Sequence, residues 1–118
     1  MALHTSLPIY RVTHEFLGVV TDITRNMPRD YKASIGSKLR EEGIELIVLV
    51  YRANAARAKA PHLSDLIERL QVIELLLRLS KDKRFISVGQ YARSIELTAQ
   101  IGRQANAWRK HSTSSPVV

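Results

Sequence analysis

Two stretches of this chain carry more apolar side chains than one face of a helix can hold. Over residues 44–50 the only charged residue is Glu45, and over residues 72–79 the only charged residues are Glu74 and Arg78. A surface helix of a small bundle needs a single apolar stripe, with polar side chains around the rest. In the first stretch Ile44, Ile47, Tyr51 and Ala55 recur at helical spacing, which leaves Leu46, Val48, Leu49 and Val50 directed elsewhere. In the second, Leu66, Leu70, Ile73 and Leu77 align, and Val72, Leu75, Leu76 and Leu79 are spread around them. A surplus of this kind is expected to cover a second surface, most simply another copy of the chain.

With 118 residues, positions 1–118 form one expected domain, long enough to bury a core without a metal or a disulfide. The absence of cysteine excludes a disulfide scaffold, a thiolate metal site and a cysteine nucleophile. No apolar run approaches the roughly 18 residues of a membrane-spanning helix. The first residues, which include His4 and Pro8, lack the apolar centre of a signal peptide. No membrane partner and a cytoplasmic location are therefore expected.

The net charge of +7 comes from 18 Lys and Arg against 11 Asp and Glu. Residues 1–30 balance three basic against three acidic groups, and residues 31–60 carry six against three. The counts are five against four over residues 61–86 and four against one from residue 87 onward. Assembly would add these charges subunit by subunit into a strong positive field. Such a field suits a nucleic acid or another polyanion, and it also serves plain solubility.

Prolines and polar turns divide the chain into four helical segments. The first spans residues 9 to 25 or 26, with Ile9, Val12, Phe16, Val19, Val20 and Ile23 near one side. Pro8 fits its first turn, and Pro28 ends the segment that precedes it. Residues 29–59 read as a long second helix through Tyr31, Ile35 and Leu39, with Gly36 and Gly43 as points where it can bend. A strand over residues 46–51 is the weaker alternative, because the alanines at 53, 55, 56, 58 and 60 favour helix. Pro61 and His62 mark a turn, and a third helix covers residues 63–80.

The run Lys81-Asp82-Lys83-Arg84 is a charged connection, open to two interpretations: a phosphate clamp at one end of a bundle, or an ordinary solvated loop. Ser87-Val88-Gly89-Gln90 is a capping box, with Ile86 and Tyr91 placed for a hydrophobic staple. The fourth helix then runs to residue 108 or 110, with Tyr91, Ile95, Leu97, Ile101, Ala105 and Trp108 inward. Residues 111–118 read as a flexible tail. Four helices joined by short turns predict an all-α, up-down-up-down antiparallel four-helix bundle.

Catalytic chemistry has little to rest on. The chain has no dinucleotide fingerprint, phosphate loop or paired-histidine metal motif, so neither a cofactor nor a metal is expected. Glu41, Glu42 and Glu45 cluster without a Glu-x-x-His companion, and read as a polar face able to pair with Lys38 or another subunit. His14 falls in a helix, His62 lies near a turn, and His4 and His111 are expected in mobile ends.

Basic side chains are the better candidates. Arg52, Arg57 and Lys59 lie in a stretch free of acids between Leu46 and Ala60, and the seven-residue spacing of Arg52 and Lys59 places them near one helical face. Arg103 and Lys110 share the same spacing, with Arg93 on a neighbouring sector. Such groups neutralise phosphates without reading bases. Tyr31, Tyr91 and Trp108 are assigned to packing, so a sequence-specific single-strand reader is not expected.

The chain resembles the accessory variability determinant proteins of diversity-generating retroelements, within a wider group of four-helix bundles related to proteins encoded in ribosomal RNA intervening sequences. The resemblance covers residues 8–110 and rests on Met27-Pro28-Arg29, Gly36, Leu75-Leu76-Leu77-Arg78-Leu79, Ser87-Val88-Gly89-Gln90-Tyr91, Ile101-Gly102-Arg103 and Trp108-Arg109-Lys110. It implies a non-enzymatic protein that forms a homopentameric ring. It further implies binding to the retroelement's reverse transcriptase and to template RNA or cDNA, in support of mutagenic retrohoming. Arg29, Arg78, Arg103 and Arg109 fall inside the matching motifs and become candidate nucleic-acid or partner contacts, to which charge distribution adds Arg52, Arg57 and Lys59. The alternative is a structural homo-oligomer with an unidentified partner and incidental positive charge.

Overall fold

The computed structural model describes residues 3–114. Helix α1 (Pro8–Arg25) opens with Pro8 in its first turn, where the missing amide costs nothing, and a short 3-10 turn (His4–Ser6) precedes it. Helix α2 covers residues 29–55 in three pieces: an α-helical turn Arg29–Tyr31, a π-helical turn Lys32–Gly36, and the body Ser37–Ala55. Helices α3 (Ala60–Asp82) and α4 (Val88–Ser114) follow. Each helix packs on its neighbour in sequence, and α1 closes the square against α4, which makes the up-down-up-down four-helix bundle, 52 × 20 × 19 Å. No strand occurs among the described residues, so residues 46–51 are helical. One end, here the upper, holds the α1–α2 and α3–α4 turns; the lower holds the α2–α3 turn and both ends of the described chain.

Phe16, Leu39, Leu46, Leu49, Leu66, Ile73, Leu77, Leu97 and Ile101 form the buried centre. The stripe read on α3 is the one buried, with Leu66, Leu70, Ile73 and Leu77 inward. On α2 the stripe is the opposite of the expected one. Leu39, Gly43, Leu46, Leu49, Val50 and Ala53 are buried, whereas Ile44 and Tyr51 are 52% and 54% exposed. Both sets have helical spacing within residues 44–55. Only the Leu46 set continues apolar toward the start of the helix, through Gly43 and Leu39; the Ile44 set runs back into Arg40 and Ser37.

Four boundaries also move. Helix α2 stops at Ala55 rather than Lys59, and α3 starts at Ala60 rather than Leu63, so Pro61 and His62 lie in its first turn, where proline needs no intrahelical partner. Helix α3 runs to Asp82 rather than Ser80, and α4 continues to Ser114, so residues 111–114 of the expected tail are helical and the remainder lies outside the described residues. The start of α4 is the expected capping box: the Gln90 amide donates to Ser87 Oγ at 3.0 Å, and the Ser87 amide donates to Gln90 Oε1 at 2.8 Å. Buried hydroxyls are satisfied within their own helices. Thr13, Thr24, Ser80, Ser94 and Thr98 each donate to a carbonyl three or four residues earlier.

Candidate nucleic-acid interface

The seven candidate cations are not gathered on one surface. Arg52, Arg57, Lys59 and Arg109 lie at the lower end, Arg29 at the upper end, and Arg78 and Arg103 on the sides. Arg29, Arg57, Arg78 and Arg103 are exposed. Arg52 is also exposed and sits 3.8 Å from Glu45, a loose pair that water screens. Arg109 is held by Ser64 Oγ at 3.3 Å and Asn106 Oδ1 at 3.0 Å, which ties α4 to the start of α3.

Lys59 does not extend a helical face shared with Arg52, because α2 has ended four residues earlier. Its ammonium instead turns back and donates to the carbonyls of Ala53, Asn54 and Ala56 at 2.9–3.1 Å. The last turn of a helix leaves carbonyls without intrahelical donors, and a lysine is well suited to satisfy them. All three ammonium protons of Lys59 are used in this way, so its role is structural capping.

Sorting every charged side chain by height gives a pattern that counts along the sequence conceal. The lower end carries Arg11, Arg52, Arg57, Lys59, Arg109 and Lys110 against Asp65, which follows the Ser64 that Arg109 touches. The upper end carries Arg25, Arg29, Lys32, Lys81, Lys83 and Arg84 against Asp22, Asp30 and Asp82. Between them the waist holds six basic and seven acidic side chains. Much of the waist is internally paired: Glu42 with Lys38 and Arg69, and Glu15 and Glu96 with Arg93, while Asp65 pairs with Arg69 at its lower margin. The excess positive charge therefore sits on the two ends of a nearly neutral rod.

The waist also displays apolar surplus. Ile44 on α2 and Leu75 on α3, 69% exposed, lie within it, and the exposed Tyr51 and Leu79 continue it toward the lower and upper ends. The two histidines expected in mobile ends both lie in helical segments. His4 sits in the 3-10 turn with its ring edge-on to Tyr10 at 5.3 Å and to Tyr51 at 5.0 Å, and His111 is part of α4. Among the described residues no group of three or more His, Cys, Asp or Glu side chains is placed to hold a metal ion. No helix among them is long and apolar enough to cross a membrane.

A family model described as bAvd-like matches residues 8–112, nearly the whole bundle. No curated protein gives a significant match.

Proposed function

Because this chain belongs to the bAvd-like family, we propose that it is a non-enzymatic accessory protein of a diversity-generating retroelement. In this role it binds the reverse transcriptase together with template RNA or cDNA and supports mutagenic retrohoming in the cytoplasm. The wider kinship with proteins of ribosomal RNA intervening sequences is part of the same proposal. The observation that carries it is the segregation of charge: basic ends on a waist that is nearly neutral and apolar in places.

That segregation favours a ring. Bundles packed side by side through the waist bring apolar surface together without opposing like charges, and they keep like ends on the same face. A homopentamer would repeat each basic end five times, giving two broad cationic faces for a polyanion and a common platform for the polymerase. The lower face offers Arg52 and Arg57, the upper face Arg29, and the sides Arg78 and Arg103 as candidate contacts. Binding through these groups is electrostatic and tolerant of sequence.

The test is a pull-down with the reverse transcriptase encoded beside the gene, accompanied by a retrohoming assay. Recovery of a complex and loss of retrohoming on deletion of the gene are expected. Normal cDNA synthesis and retrohoming without the protein would overturn the accessory role. The same apolar waist would then favour the second reading, a structural homo-oligomer with another partner.

A further inference from the structure

At the upper end, an open groove of about 790 Å³ runs along the α3–α4 corner, lined among others by Asn26, Lys81, Asp82, Arg84, Ser87 and Gln90. We propose that this groove is a phosphodiester-binding site for a single strand of RNA or DNA, with Lys81 and Arg84 as its cations. The proposal deepens the function given above, on which it rests for the identity of the anion.

The corner is fixed rather than loose. The Lys83 amide makes the last regular helical bond, to Leu79 O; the Arg84 amide then donates to Lys81 O at 3.0 Å and the Phe85 amide to Ser80 O at 2.8 Å, the paired bonds of a Schellman stop. The Phe85 ring stacks on Tyr31 with 4.0 Å between centroids, and Ile86 is buried. The backbone that carries the cations of this turn is therefore fixed before any ligand arrives.

Arg84 occupies the position after the helix where glycine is the usual residue. Its φ is 61°, the left-handed region, and it is the one non-glycine among the described residues with positive φ. A side chain there costs about 1 kcal/mol relative to glycine. The chain carries that cost for an exposed guanidinium that meets no carboxylate of the described residues. Lys81 lies 4.7 Å above the Tyr91 ring and 3.7 Å from Asp82, so the one carboxylate lining the groove already faces a cation.

The neutral groups complete the fit. Gln90 Oε1 is occupied by the Ser87 amide, which leaves the Gln90 NH₂ as a donor on the groove wall. Asn26 supplies a second amide from the α1–α2 turn. An open trough with cations and amide donors suits an extended phosphodiester chain better than an enclosed apolar ligand.

The experiment measures binding of a fluorescent single-stranded RNA 20-mer across a salt series to the full chain and to Arg84→Gly and Lys81→Gln variants. Each lost phosphate contact should lower affinity about fivefold at 0.1 M salt and flatten the salt slope by about 0.7. Arg84→Gly relieves the turn, so its expected rise in melting temperature separates lost binding from lost folding. Unchanged affinity and slope in both variants, while the parent binds RNA, would overturn the groove and leave the proposed function standing.

Lysine acetylation footprinting with tripolyphosphate supplies an arm that does not depend on nucleic acid. Protection of Lys81 with none at Lys38 is expected. That result without any RNA binding would retain the anion groove and reject the nucleic-acid role, whereas absence of protection would reject the groove.

Discussion

Arg69 on α3 reaches across to Glu42 on α2, with its Nη1 3.1 Å from Oε1, and the carboxylate it meets is buried. Lys38 approaches the same oxygen at 3.0 Å from within α2. A buried carboxylate needs such partners, because removal from water without them costs several kcal/mol. Glu42 is thus neither a metal ligand nor a free acid. It links the two helices whose outer faces carry the apolar surplus.

Removing Arg69 should therefore weaken the bundle. Arg69→Ala is expected to cost about 2 kcal/mol, tempered by the remaining Lys38 and by the partial exposure of Arg69. Replacing both partners, as in Glu42→Leu with Arg69→Met, should cost less than the single change. Urea denaturation at fixed protein concentration measures both, and a double variant less stable than Arg69→Ala would contradict the coupling.

The exposed and buried leucines separate assembly from folding. Leu75→Glu places a charge on an outward position and should yield folded monomers, with the helical circular-dichroism spectrum retained. Leu46→Glu places a charge in the centre of the core, where Leu46 is fully buried, and should prevent folding. Light scattering coupled to size exclusion gives the masses. A parent that elutes as a 13.4 kDa monomer at micromolar concentration would refute the ring.

Lys59 has a measurable role that does not involve nucleic acid. Lys59→Gln shortens the side chain, removes its charge and leaves at most two donors for the three carbonyls that close α2, and should cost about 1 kcal/mol. Its effect on RNA affinity should be smaller than that of Arg57→Gln, which removes an exposed cation without touching the cap. A larger binding loss at Lys59 than at Arg57 would show that the cap is not its main role.

What could be read from the sequence followed the range of the interactions. The Ser87–Gln90 capping box spans four residues, and the breaks at Pro8, Pro28 and Pro61 are local, so four helices and their antiparallel order were legible. The end of α2 was not. Its alanines favour continued helix, and the feature that closes it is a lysine folding back on the chain. Periodicity picked the Ile44 stripe on α2, and only following the Leu46 set back to Leu39 shows that the other face is the buried one. Glu42 and Arg69 lie 27 residues apart, beyond any local pattern. For the candidate interface, composition supplied the amount of charge, whereas the fold sorted it into ends and waist and moved Lys59 into a cap. The run Lys81–Arg84 was visible as charge; the left-handed backbone that fixes Arg84 was not.

The π turn at Lys32–Gly36 has a rotational consequence. The Ser37 amide donates to the Lys32 carbonyl five residues back, so this turn contains one residue more than a regular helix would. Everything before it is phased by about 100° relative to an uninterrupted α2. Tyr31 lies before it and stacks on Phe85, which couples the α1–α2 turn to the α3–α4 turn. Deleting Ala33 should regularise the helix and leave its helical content almost unchanged. It should also swing Tyr31 away from Phe85 and unlatch the upper end, measurable as faster amide exchange at residues 83–87. The extra residue acts as a phase setting through which a single insertion or deletion, with no substitution elsewhere, determines whether the two turns move together or separately.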